Sequence, residues 1–268
     1  MIKPNTLVRT LDIRNGDTAG LEDAVRDISS GIVLAPENSM IDTFSIDSYE
    51  RGKVGSQTVN LQTMTGNQKI LDLIELMKSK PNVLFVPGTL LRDYGGYVLP
   101  VMPVIYNGRV IERVKQTGVP YVDNYGSLAK ALLDGREAQE IIENGYDPFS
   151  KIGKKLKQEL DKKVASTRKS GLEAVNFQGL NVLPLICNEI HLASEEYTGK
   201  PVDLILHSSN DLYRDDKEMI RSYEKVLAGL RRKGKLGKNA RLAYAELRED
   251  AVSKGSLAYA NLRLQKIN

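Results

Sequence analysis

The sequence predicts an α/β layered fold, and three observations carry that expectation. Thr6 to Ile13 reads as a strand. Asp17 or Thr18 then caps a helix to about Ser29, with Leu21, Ala24, Val25 and Ile28 at helical spacing, and Gly31 to Ala35 follows as a second strand. That strand, helix, strand order is the seed of a layered α/β domain. Val182 to Ile186 has no position for a solvated face, the pattern of a strand covered on both sides. With 268 residues, 41% of them apolar, the chain can bury one substantial core, and a single domain spanning 1–268 is expected.

The remaining elements follow in order. Asn38 to Phe44 is expected as a loop, as is the polar, aperiodic stretch from Gly52 to Gly66. Asn67 to Ser79 predicts a helix with Ile70, Leu73, Ile74 and Met77 on one face, and Val83 to Val86 a strand leaving through Pro87-Gly88. Tyr97 to Tyr106 and Arg109 to Val114 form a hairpin turned at Asn107-Gly108, a strong short-range signal. Two helices, Leu128 to Asn144 and Lys151 to Arg168, flank Gly145 to Phe149, and Glu173 to Phe177 makes a short strand. Pro201 to His207 is the last clear core strand. Helical spacing of Leu212, Ile220, Tyr223, Val226, Leu227 and Leu230 marks the 211–238 segment. Asn239 to Lys254 reads as a further helix, with Ala240, Ala243, Leu247 and Ala251 on one face.

Composition removes several function classes. There is no run of eighteen apolar residues, so no membrane span is expected, and Met1 to Asn5 opens no apolar signal region, which points to the cytoplasm. One cysteine and two histidines provide neither a disulfide framework nor a zinc set, so no metal and no cofactor are expected. The formal charge of +4 is concentrated between Lys151 and Lys169. Acidic interruptions and the lack of interleaved aromatics make that segment a solvated helix face rather than a nucleic-acid surface.

Chemistry gathers at strand ends. Val182 to Ile186 delivers the single cysteine, Cys187, to its C-terminal end, Gly31 to Ala35 delivers Glu37 after Pro36, and Arg109 to Val114 delivers Lys115. Free cysteine is often a small buried core residue. The carboxyl ends of sheet strands are also the usual ligand face of α/β folds, where a thiol can act as a nucleophile. If the three ends share a rim, Glu37 takes the thiol proton, while Lys115 favours the thiolate and steadies negative charge on a carbonyl oxygen.

In these residues the chain resembles the nitrilase, or carbon-nitrogen hydrolase, superfamily. Glu37 follows a proline, Lys115 follows an Asn-Gly hairpin, and Cys187-Asn188-Glu189 fits a Cys-x-Glu pattern. Leu183 to Ile190 and Asp203 to Asp211 are most similar to the nitrilase-like domain of apolipoprotein N-acyltransferases. The resemblance covers roughly residues 5 to 115 and 172 to 262. It implies an α-β-β-α sandwich with a helical insertion at about 124–172, before the nucleophile strand. It also implies a shortened C-terminus, because the family's last hairpin has no counterpart before Asn268. By the same resemblance Cys187 is the nucleophile, Glu37 the general base, Lys115 with the backbone amide of Asn188 the oxyanion donors, and Glu189, Ser209 and Asn210 pocket residues. The chain departs from the family at Val119-Pro120-Tyr121-Val122-Asp123, where Asp123 stands in place of a second glutamate; the resemblance implies a place for it among the catalytic residues, although it reaches one methylene less.

The expected activity is hydrolysis of a non-peptide carbon-nitrogen bond in a small-molecule amide, through a Cys187 thioester. Transfer of the acyl group to an amine and a binding subunit without catalysis remain open alternatives. His207 is not needed as a base if Glu37 fills that role, and His191 reads as structural or exposed. A homodimer is expected, because a sheet ending at Pro201 to His207 would leave an uncovered edge.

Overall fold

In the computed structural model the described residues are 8–11, 18–37, 39–40, 71–93, 98–115, 129–130, 132–147, 149–164, 172–210, 216–247 and 265–266. Asp123, the 52–66 stretch and most of Asn38 to Phe44 lie outside them.

Sequence alternation sorts the side chains into three apolar layers. The first sheet contains β1 (Val8–Thr10), β2 (Gly31–Leu34), β3 (Val83–Val86), β4 (Leu90–Asp93), β5 (Val98–Tyr106) and β6 (Arg109–Val114). β1, β2 and β3 are parallel, and β5 is antiparallel to β3, β4 and β6. β6 therefore points its C-terminal end the same way as β2. The second sheet runs in the order β11 (Gln265–Lys266), β10 (Leu236–Leu247), β9 (Val202–Asn210), β8 (Leu180–Ile186), β7 (Val175–Phe177), with β8, β9 and β10 parallel.

Successive strand residues point to opposite faces, and both faces are apolar here. Ile32, Leu34, Leu84 and Val86 of the first sheet meet Val182, Ile186, Leu204, Leu206, Ala243 and Ala245 of the second in one buried layer. Their neighbours Val33, Ala35, Val83 and Phe85 turn outward to pack beneath α1 (Thr18–Arg26) and α2 (residues 71–78) through Leu21, Val25, Leu73 and Met77. On the far side Leu183, Leu185, Ile205 and Leu242 pack beneath α5 (Glu189–Glu196) and α6 (Asp216–Arg232) through Ile190, Ala193, Tyr223, Val226 and Leu230. The result is helix, sheet, sheet, helix.

The hairpin turn behaves as its sequence requires, with Asn107 at φ 51° and Gly108 at φ 64°. α3 (Gly135–Asn144) and α4 (Lys151–Val164) fill part of the 124–172 stretch, and their Ala138, Ile141 and Leu156 are buried in the outer layer of the first sheet. The continuous helix expected from Leu128 to Asn144 is interrupted. Asp134 adopts an extended conformation and its side chain accepts hydrogen bonds from the amides of Arg136 and Glu137, so a new helix starts there. On α4, Lys155 pairs with Glu137, Lys157 with Glu196 and Lys162 with Glu159.

Two expectations fail at the C-terminal side. The helix expected from Asn239 to Lys254 is strand β10 over its described part, paired in parallel with β9 from Arg241↔Leu204 to Leu247↔Asn210. Its alanine, leucine, arginine and glutamate are good helix formers, but burial of both faces overrides that propensity. Pro201 to His207 is accordingly not the last core strand. The open edge expected beside it is covered by β10, and β11 pairs antiparallel beyond that, so the edge offers no argument for a dimer. β4 has no counterpart among the expected elements, and β9 extends through Ser209 and Asn210.

Candidate active site

Hydrogen bonds between the two sheets bring the strand ends together. The Glu37 amide donates to the carbonyl of Ser209 at 3.1 Å, and the Ser208 hydroxyl donates to the carbonyl of Ala35 at 2.9 Å. On the next strand the Cys187 amide donates to the carbonyl of Ser208 at 2.8 Å. The chain just past β2 and the chain just past β8 thus bond to adjacent residues of β9. Close approach at the Glu37 turn needs Gly88, whose φ is +87° and whose added Cβ would stand 2.3 Å from the Pro36 carbonyl oxygen.

Two buried ion pairs sit at this end of the sandwich. Lys115 Nζ donates to Glu37 Oε1 at 2.7 Å, with Lys115 2% and Glu37 3% exposed. Arg113 lies two residues earlier, on the same face of β6 by strand periodicity. Its Nη2 donates to Glu189 Oε2 at 2.9 Å, and its Nη1 donates to the Pro184 carbonyl of β8. Glu189 Oε2 also accepts from the Ile186 amide at 2.9 Å. Glu189, expected in the pocket, is therefore completely buried and braces β8 against β6.

Cys187 is half-buried at the junction of β8 and α5, with φ at +45°. A non-glycine residue in that left-handed region costs about 1 to 3 kcal/mol and persists only where the surroundings hold it. The holding groups are visible. The Cys187 amide is fixed by Ser208, and its carbonyl oxygen lies 2.9 Å from His207 Nε2. His207 Nδ1 lies 2.7 Å from the hydroxyl of Tyr223 on α6. A carbonyl oxygen only accepts, so Nε2 carries the proton, and Nδ1 accepts the Tyr223 O–H. Burial pushes the His207 pKa down to about 4, so the ring is neutral near pH 7, and it braces a backbone rather than moving protons.

Asn188 follows as the N-cap of α5, in helical conformation. Ser209 is buried, and its hydroxyl has no hydrogen-bond partner among the described residues. Asn210 ends β9, opposite Leu247 of β10. Asp123 lies outside the described residues. His191 stands on α5, 3.4 Å from the Ser222 hydroxyl, with its pKa lowered by burial and then by Lys225. Among the described residues no group of three acidic, histidine or cysteine side chains could hold a metal ion, and no helix is long and apolar enough to cross a membrane.

Sequence reasoning missed Arg113, Tyr223 and the bracing role of His207. A signal for Arg113 was present: a cation two residues before Lys115 on a core strand must share its face, and so must find a buried partner. The His207 to Tyr223 contact joins a strand to a helix sixteen residues on and leaves no comparable trace.

No protein-family model matches the sequence, and no curated protein does. Solved structures do match in shape. The chain is similar to a carbon-nitrogen hydrolase from Helicobacter pylori G27, with a TM-score of 0.50 and 12% identity over 94% of this chain and 78% of that one. It is also similar to a glutamine-dependent NAD(+) synthetase from Cytophaga hutchinsonii, with a TM-score of 0.50 and 15% identity over 90% of this chain. The match spans only 35% of the synthetase chain. At such identities the likeness establishes the fold, a nitrilase-like α-β-β-α sandwich.

Proposed function

We propose that the protein belongs to the nitrilase superfamily and is a thiol acyl-transfer enzyme, an amidase acting on a small molecule. The observation that carries this reading is the Glu37–Lys115 ion pair, buried beside a chain turn whose amide bonds to β9 next to the residue that anchors Cys187. A base, a cation and a conformationally constrained thiol thus come from three strand ends that face the same way.

The chemistry follows from those groups. The Cys187 sulfur attacks the amide carbonyl carbon as its proton passes to the Glu37 carboxylate, and a C–S bond forms. Negative charge on the former carbonyl oxygen is met by the Lys115 ammonium and the Asn188 N–H. Collapse breaks the C–N bond, the amine leaves with the proton held by Glu37, and a thioester remains on Cys187. Water, deprotonated by Glu37, attacks the thioester, and the acid and the free thiol are released. Ser209 and Asn210 form pocket wall, and Asp123 assists the reacting groups. An amine in place of water would carry the acyl group away by the same intermediate.

The test is intact-mass measurement of the protein incubated with p-nitrophenyl acetate, alongside ammonia release from a panel of small aliphatic amides. One acetyl group is expected on Cys187, none on Cys187→Ala, and a small primary amine should accept the acyl group if transfer competes with hydrolysis. Acetylation that persists in Cys187→Ala, or a parent protein that acetylates no faster than its unfolded form, would overturn the reading.

A further inference from the structure

We propose that His207 and Tyr223 are positioning residues that set the direction of the Asn188 N–H by gripping the carbonyl of the peptide before it. This rests on the acyl-transfer reading above and adds to it a residue pair outside the reacting groups. In a trans peptide the C=O and the following N–H point in opposite directions within one plane. Whatever holds the Cys187 oxygen therefore aims the Asn188 hydrogen.

The grip is well defined. Ser208 fixes the Cys187 amide on one side, and His207 Nε2 fixes the carbonyl at 2.9 Å on the other, so the strained residue is clamped at both of its backbone polar groups. The Ile190 amide also reaches that carbonyl, at 3.3 Å, as the first turn of α5 begins. His207 itself cannot turn freely, because Tyr223 occupies Nδ1 at 2.7 Å and packs edge-on at 5.6 Å between ring centroids. Tyr223 is held in turn against Tyr244 of β10, with centroids 5.8 Å apart. A route thus runs from the third layer of the sandwich, through two aromatic rings and an imidazole, to the peptide carrying the oxyanion donor. His207 itself is fully buried.

This role separates two reactions of the same thiol. Acylation by p-nitrophenyl acetate passes through a tetrahedral oxyanion and needs the Asn188 N–H aimed at it. Alkylation by iodoacetamide displaces iodide at saturated carbon and forms no oxyanion. In His207→Leu, with folding checked by circular dichroism and by the melting temperature, acylation of Cys187 should fall at least about tenfold while alkylation stays within about twofold of the parent. His207→Gln, which retains an N–H near the Nε2 position, should recover most of the acylation rate. Tyr223→Phe should give a smaller loss of the same kind. Equal loss of both reactions in all three variants would mean that the pair supports only the fold, and unchanged acylation in His207→Leu would also overturn the inference. If the parent alkylates but never acylates, it is the acyl-transfer reading that fails, and the positioning role with it.

Discussion

Arg113–Glu189 and Lys115–Glu37 are two ion pairs with cations two residues apart on the same strand end, all four side chains almost fully buried, yet they are built differently. The arginine pair crosses between the sheets and is knotted into backbone: guanidinium to the Pro184 carbonyl, carboxylate to the Ile186 amide. The lysine pair joins two strand-end residues of one sheet, and the Glu37 amide reaches across to the Ser209 carbonyl. A planar fork that satisfies several fixed partners is suited to a brace, whereas a compact ammonium on a flexible stem can follow charge as it develops on a substrate. Burial alone would not have distinguished the two pairs.

Removing each cation in turn separates the two pairs. Arg113→Met should be the costlier change for stability, about 3 to 5 kcal/mol, because it takes the cation away from the fully buried Glu189 carboxylate and unties β6 from β8. Denaturant midpoints measure it, and a shift no larger than that of an exposed arginine would show that the brace is dispensable. Lys115→Ala should show its main effect in the chemistry, with about 3 to 4 kcal/mol lost from the acylation barrier. Stopped-flow release of p-nitrophenolate reads that loss, and a rate within twofold of the parent would remove Lys115 from the oxyanion site.

His207 is the neutral counterpart of these charged braces, and pH exposes it. Its pKa falls from the ordinary 6.5 to about 4, mainly through burial, with His191 and Lys115 adding to the effect against the Cys187 carbonyl. Between those values the unfolded chain binds a proton that the folded chain does not, so stability rises with pH across the window. The contribution is complete above about pH 6.5, lost progressively as pH falls toward 4, and worth roughly 3 kcal/mol. Urea midpoints between pH 7 and pH 4.5 should show this slope in the parent and a shallower one in His207→Gln; an identical slope would assign it to other groups. The smallest effect is expected from Gly88→Ala, where strain of about 1 to 3 kcal/mol would push on the Pro36 carbonyl and shift Glu37. Acylation should fall more than stability does.

What the sequence made legible was local. Val83–Val86 and Arg109–Val114 stand where their apolar runs and the Asn107-Gly108 turn put them, and Glu37, Lys115 and Cys187 each close such a run. β10 was misread because a strand covered on both faces loses its alternation, leaving only the helix propensity of Ala240, Leu242, Ala243 and Ala245 to be seen. Asp134 could have been read as a cap, but the apolar spacing on both sides of it ran on without a break. The braces were hidden for a different reason. Glu189 meets Arg113 across 76 positions of sequence, and a Cys-x-Glu spacing carries no mark of whether the glutamate faces a ligand or a guanidinium.

Glu37→Gln and Glu189→Gln are to be compared in a single pair of assays, Cys187 acylation and thermal melting. Glu37→Gln keeps an oxygen for Lys115 but cannot take a proton, so acylation should fall about a hundredfold or more while most of the melting temperature is retained. Glu189→Gln should melt earlier than Glu37→Gln yet, at a temperature where it is folded, acylate much faster. A Glu37→Gln protein that acylates within twofold of the parent would contradict the account, since the buried carboxylate beside Lys115 would then be a second brace and not a base.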